Sequence, residues 1–140
     1  MKTSNKGIEL IKQHEGVRLK AYKCPAGVWT IGYGHTTDVF EGKEITADEA
    51  EELLRGDLIT AETEVNKVPG LNQNQFDALV SFTFNLGIGS FRRSTLRKTI
   101  LENTADLRIT KFFGQWVYAK GVMLPGLVRR RKEEAELYFS

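Results

Sequence analysis

The chain has 140 residues, 41% of them hydrophobic and 27% charged, with a formal net charge of +2. That balance belongs to a folded globular chain of one domain, or two small lobes, and excludes a disordered one. No apolar run approaches the ~20 residues of a membrane-spanning helix, and the single cysteine, Cys24, excludes an internal disulfide and a multi-cysteine zinc site.

The start, Met1–Gly7, is polar and lacks the apolar stretch of a signal peptide. The chain as written is therefore expected to stay in the cytosol until something releases it. Ile8, Leu10 and Ile11 mark a short first helix over 4–14, with Ser4 or Asn5 as its cap and Gly16 as its stop. Leu19, Ala21 and Tyr22 then lead through Cys24-Pro25-Ala26-Gly27 into Val28, Trp29, Thr30, Ile31 and Tyr33, which reads as a hairpin. Gly32 and Gly34 interrupt the second run, as at a bend or a close backbone approach.

Thr46 with Glu49 makes a capping box. Ala50, Leu53, Leu54, Leu58, Ala61, Val65 and Val68 follow it at helical spacing, so one helix of about 20 residues, ~30 Å long, is expected up to Pro69-Gly70. Asn72 with Gln75 starts another, apolar on nearly every side from Phe76 to Leu86 and hence buried, closed by Gly87 and Gly89. Shorter helices are expected over Thr95–Leu101 and Leu107–Tyr118, and a last one from Pro125, a residue suited to a first helical position. The fold class is α+β. It comprises a small β-containing lobe at about 15–45, a connecting helix at about 46–68, and a helical lobe at about 71–140 on which helix 4–14 packs.

Three reactive side chains stand close in sequence around the hairpin: Glu15, Cys24 and Thr30. A carboxyl at a helix end beside a sheet is partly desolvated, which raises its pKa and keeps the proton a general acid needs. An isolated glutamate is ordinarily a surface residue, so the spacing to its neighbours carries the argument. His14 and His35 add too little for a structural metal site. His35, after Gly34, reads either as a base or, preferably, as a hydrogen-bonding tie between strand backbone and the other lobe. Arg129, Arg130 and Arg131 form a basic run; one is expected to pair inward with an acid such as Glu15, and the others to be solvated or to meet an anionic polymer.

The pattern Glu15, eight residues, Cys24, five residues, Thr30 resembles the active-site signature of the phage-type lysozymes. So do Thr30-Ile-Gly-Tyr-Gly-His-Thr36, Leu71 to Gly87, Phe91 to Leu96, Trp116 and Leu124 to Arg131, which together cover essentially the whole chain. The resemblance implies a lysozyme-like fold and hydrolysis of the β-1,4 bond between N-acetylmuramic acid and N-acetylglucosamine, with no metal or organic cofactor required. Glu15 would be the general acid, Thr30 and Cys24 would serve the opposite face, and Gly34, Phe84 and Asn85 would contact sugar; His35 and Arg130 would support them. Phe84 reads equally well as core.

Cys24 departs from the carboxylate form of the signature. A thiol of pKa ~8.5 is only a few per cent ionised at pH 7. Its thiolate has three possible roles: orienting water, stabilising charge on the sugar, or attacking carbon; the water-related role, with inversion, is preferred. The resemblance further implies a monomer acting on peptidoglycan in the periplasm. Release from the host cytoplasm would be through a holin-type pore, without stable membrane insertion.

Three rivals stand beside this reading. A lytic transglycosylase needs no water-activating Cys24/Thr30 pair. A silent wall-binding module has no use for Glu15. A nucleic-acid-binding protein rests on charge asymmetry alone: residues 1–70 carry 9 Lys/Arg against 12 Asp/Glu, whereas residues 71–140 carry 11 against 6. The basic half has no recognised nucleic-acid motif, and Glu133, Glu134 and Glu136 temper its basic run.

Overall fold

The computed structural model describes all 140 residues, as two compact units. One is Glu9–Ile59; the other joins Met1–Ile8 to Thr60–Ser140. Helix α1 (Asn5–Glu15) runs from the second into the first, with Ser4 Oγ accepting from the Gly7 N–H at 3.3 Å.

In the Glu9–Ile59 unit, β1 (Arg18–Lys23) pairs antiparallel with β2 (Trp29–Gly32). Tyr22 stands opposite Thr30 and Lys23 opposite Trp29, and a bulge separates Arg18 from Tyr22. The 43–45 stretch adds a further pairing to β1, through Ala21 N–H to Lys43 C=O and Ile45 N–H to Leu19 C=O, both 2.9 Å. Its short run shows no alternation from which a strand can be read.

The Thr46/Glu49 capping box forms in full and starts α2 (Ala47–Asp57). The single helix expected to Val68 is divided: α3 (Ile59–Val65) follows after Leu58, which keeps αR dihedrals (φ −75°, ψ −16°). The break falls where Gly56-Asp57, both weak helix formers, meets the β-branched pair Ile59-Thr60. Ile11, Ile31, Ala50, Leu54 and Leu58 are the buried apolar side chains of this unit.

In the other unit, Asn72 and Gln75 close a second capping box on α4 (Gln73–Leu86), which is buried from Phe76 through Thr83. Helix α5 (Ile88–Arg93) follows at once, where Gly87 and Gly89 had pointed to a stop; Gly87, at φ 91°, ends α4 and leads into α5. Helix α6 (Thr95–Glu102) is capped by Ser94 Oγ, which accepts from the Arg97 N–H at 3.0 Å.

The helix expected over Leu107–Tyr118 is only α7 (Ile109–Phe113). The remaining residues enter a small hairpin, β3 (Tyr118–Ala119) with β4 (Val122–Met123). Its two-residue loop is Lys120 (φ 51°) and Gly121 (φ 78°). Positive φ at both central positions is the twist that closes a tight hairpin, and glycine takes it without cost.

Helix α8 (Pro125–Tyr138) begins on proline as expected and packs along α4. Phe82 lies at the centre of an edge-to-face cluster with Phe91, Phe113 and Trp116, ring centroids 5.7–6.2 Å apart. The α+β class is what the structure shows, with helices and two small antiparallel hairpins.

Candidate active site

Glu15 is the last residue of α1, and only Gly16 and Val17 separate it from β1. It is half-buried rather than enclosed. Cys24 follows β1 in the turn to β2. The turn is closed by Cys24 N–H to Val28 C=O at 3.0 Å and Gly27 N–H to Cys24 C=O at 2.8 Å. Proline and glycine at 25 and 27 make this tight reversal, as their turn chemistry foretold.

The turn brings Cys24 and Thr30 together. The Cys24 thiol lies below the ordinary thiol range because the Val28 N–H, and then the Ala26 N–H, donate to its thiolate. Thr30 is itself buried, and its Oγ1 donates to Val28 C=O at 3.0 Å. An O–H fixed on a backbone carbonyl leaves the oxygen lone pairs open to accept. Cys24 is partly exposed, so a half-accessible thiol, a fixed hydroxyl and a helix-end carboxyl share one folded unit.

His35 returns the chain after β2. Its backbone exchanges both hydrogen bonds with Ile31, each 2.9 Å, around the Gly32-Tyr33-Gly34 turn. Its Nδ1 lies 2.8 Å from Asp57 Oδ2. The imidazole thus ties the strand to the end of α2, so its partner lies in its own unit rather than in the other lobe. Gly34, at φ 85°, is exposed on the same turn. Lys12 on α1 pairs with Glu51 on α2 and approaches the Tyr33 ring at 5.8 Å.

In the other unit, Phe84 and Asn85 end α4, both half-buried. Asn85 Oδ1 accepts from Arg131 Nη2 at 2.7 Å. Both Arg130 and Arg131 turn inward on α8, only 3% and 1% exposed, and share Glu134, which is 0% exposed. Glu134 is therefore no surface acid moderating a basic run. Burial pushes its carboxyl up, against the opposing pull of Arg131 and Arg130. Ser81 Oγ donates to Glu134 Oε2 at 2.5 Å, and Arg130 Nη2 reaches Ser81 C=O at 3.3 Å. Sequence reasoning marked the arginines, read Glu134 only as an acid tempering the basic run, and missed Ser81 and Asp57. Only an acid at i+3 or i+4 from an arginine signals Glu134 in advance; Asp57, 22 residues from His35, leaves no such local trace.

A model of the phage lysozyme family matches residues 12–134 of the chain. The chain is 45% identical to the endolysin of Acyrthosiphon pisum secondary endosymbiont phage 1, over all of this chain and 99% of that protein. It is 43% identical to the endolysin of Bacillus phage PZA over its own full length but spans only 56% of that protein. Among solved structures, the muramidase domain of SpmX from Asticaccaulis excentricus superposes with a TM-score of 0.91 at 40% identity, covering 99% of this chain and 98% of that one.

Proposed function

The chain belongs to the phage lysozyme family, and from that premise we propose that Glu15 is the general acid, with Cys24 and Thr30 serving a water molecule on the opposite face of the sugar. As a member of the family it is a glycoside hydrolase, an endolysin that hydrolyses peptidoglycan.

The bond cleaved is the β-1,4 link from N-acetylmuramic acid to N-acetylglucosamine. Glu15 gives its proton to the glycosidic oxygen as the C1–O bond breaks and the muramic ring takes on oxocarbenium character. Water attacks C1 from the other face and loses a proton to the Cys24 thiolate, while the Thr30 oxygen accepts a hydrogen bond from it. One water is consumed and the anomer inverts. Acid and base in such enzymes stand roughly 6.5–9.5 Å apart to admit that water.

The observation that carries this reading is the Cys24 turn. Two backbone N–H groups favour the thiolate and lower the Cys24 pKa, which raises the ionised fraction of a thiol standing in a carboxylate's place. Gly34, Phe84 and Asn85 are the proposed sugar contacts, with His35 and Arg130 as positioning residues. The small β-containing lobe and the helical lobe are retained as the proposed organisation, with α2 and α3 in place of a single connecting helix.

Endolysins act on the bacterial cell wall, and no helix of this chain is long and apolar enough to cross a membrane. A holin-type pore is the proposed route from the host cytoplasm, and the chain is proposed to act as a monomer. Lysis on expression without any pore would overturn that route, and a dimer at working concentration would overturn the stoichiometry.

Mass spectrometry of digested peptidoglycan tests the reaction class. Hydrolysis leaves a reducing muramic acid, whereas a transglycosylase leaves a 1,6-anhydro product lighter by one water. NMR of the first-formed anomer tests inversion, and a retained anomer would transfer Cys24 to the role of nucleophile.

A further inference from the structure

Asn85 stands in the last turn of α4, and one atom of its amide is fixed by a buried cation. Arg131 Nη2 approaches that atom at 2.7 Å. A guanidinium only donates, so the atom facing it is the carbonyl oxygen Oδ1, and the NH2 group is turned the other way. The guanidinium has no room to swing aside. Arg131 is 1% exposed, its Cζ lies 5.1 Å from the centre of the Phe82 ring, one helical turn before Asn85, and its Nε lies 2.8 Å from Glu134 Oε1. Glu134 is held in turn by the Ser81 hydroxyl at 2.5 Å. Rotating the amide by half a turn would set N–H against N–H inside this packed network, an arrangement that buried donors avoid.

The open edge of the amide is Nδ2. It donates to no group of the chain, it is not enclosed, and Asn85 as a whole is half-exposed. Asn85 therefore meets a ligand as a donor alone, although an unconstrained asparagine offers a donor and an acceptor. A sugar hydroxyl can satisfy either edge of an amide and needs no such fixing. A carbonyl oxygen only accepts, so a fixed donor selects it.

We infer that Arg131 is a positioning residue that presents Asn85 Nδ2 to the carbonyl oxygen of an N-acetyl group on the glycan. The inference rests on the reading of Asn85 as a sugar contact, and the acetamido group is the carbonyl that both sugars of that glycan carry. Removing the acetyl group replaces the acceptor by an ammonium, which only donates and meets Nδ2 donor to donor. A site built around a hydrogen bond rejects a substrate lacking the partner more strongly than an apolar site does. Asn85 thus sets a requirement for N-acetylated wall. It does so from a different unit than Glu15, Cys24 and Thr30, and apart from their chemistry.

Co-sedimentation with insoluble peptidoglycan, carried out on ice with the full chain bearing Glu15→Gln, reads affinity apart from turnover. Soluble muropeptides released by that chain would contradict Glu15 as the acid, and the affinity ratios between walls would still report on Asn85. Asn85→Asp is then added, because an aspartate oxygen still accepts from Arg131 while the donor is lost. On intact wall it should weaken binding about five- to tenfold, the scale of one hydrogen bond. The same loss is expected on wall stripped of its stem peptides by an amidase. On chemically N-deacetylated wall the loss should vanish or reverse, since an aspartate accepts from the ammonium. Arg131→Lys keeps a cation beside Glu134 but withdraws Nη2. It should weaken binding to intact wall and cost nothing further in the chain that carries Asn85→Asp. Unchanged binding of Asn85→Asp to intact wall overturns the inference. So does a loss that persists on N-deacetylated wall, a loss confined to wall that keeps its stems, or an additive effect of Arg131→Lys. The Asn85→Asp comparisons decide the matter even if Arg131→Lys does not fold.

Discussion

His35 Nδ1 lies 2.8 Å from Asp57 Oδ2 and 3.1 Å from Oδ1, joining the turn after β2 to the last residue of α2. A carboxylate only accepts, so the imidazole proton facing it is on Nδ1. His35 is thereby committed to holding the hairpin that carries Thr30. His35→Ala should lower stability by about 1–2 kcal/mol, the cost of a charge-assisted hydrogen bond in a half-buried setting. His35→Asn, which retains a donor, should recover part of it. Urea denaturation of both variants checks this; a large loss of kcat in a fully stable His35→Ala would instead make the imidazole a participant in the chemistry.

Glu64 gives the fold a pH dependence. Its carboxyl is buried, with Arg92 Nη2 at 2.8 Å and Lys67 Nζ at 3.0 Å, and the Arg92 hydrogen bonds hold it down to about 2 against an ordinary 4.5. A folded-state value below the unfolded one means stability that is fully present above about pH 4.5 and lost as pH falls toward 2. Both cations are half in solvent, so the contribution is on the order of 1–2 kcal/mol, less than the shift alone implies. Thermal melts of Glu64→Gln should lie below wild type at pH 7 and converge with it near pH 2–3.

Two glycine-to-alanine changes should act in opposite directions. A Cβ on Gly7 would stand 2.7 Å from both Asp77 Cγ and Thr3 Cγ2. Asp77 already accepts from the Ser4 N–H at 3.0 Å and from the Ser4 hydroxyl, so it has little room to give. Gly7→Ala should therefore destabilise by about 1–3 kcal/mol despite the better helix propensity of alanine. Gly56, inside α2, has nothing within 4 Å of the corresponding position. Gly56→Ala should stabilise by roughly 0.5–1 kcal/mol. Denaturant midpoints of the two variants measure the contrast.

Much of the helical framework was legible because its signals are local. Thr46/Glu49, Asn72/Gln75 and Pro125 each announce a helix start within four residues, and all three helices begin there. The β3–β4 hairpin was not legible, since two-residue strands show no alternation, and Phe112, Phe113, Trp116 and Val117 mimic a continued helical face. At the candidate site, the Glu15–Cys24–Thr30 spacing is a sequence property, whereas the Asp57 partner of His35 and the burial of Glu134 arise from tertiary packing. No periodicity reports a contact between residues 22 or 53 positions apart, which are the separations of His35 from Asp57 and of Ser81 from Glu134.

The thiol can be followed without any substrate. Because the Val28 and Ala26 N–H groups lower its pKa, the rate of Cys24 alkylation by iodoacetamide should reach half-maximum at a lower pH than that of free cysteine. Thr30→Val should leave the midpoint close to the wild-type value, since the backbone donors remain and the Thr30 proton is held by the Val28 carbonyl. A midpoint at or above that of free cysteine would remove the basis for a thiolate at this position.

The most direct test of the account is digestion of purified peptidoglycan by the wild type and by Glu15→Gln, with product mass and first-formed anomer read together. The account predicts reducing muropeptides of inverted configuration from the wild type, and a rate at least about 10²-fold lower from a normally folded Glu15→Gln. Undiminished turnover by Glu15→Gln, or anhydro products from the wild type, would contradict it.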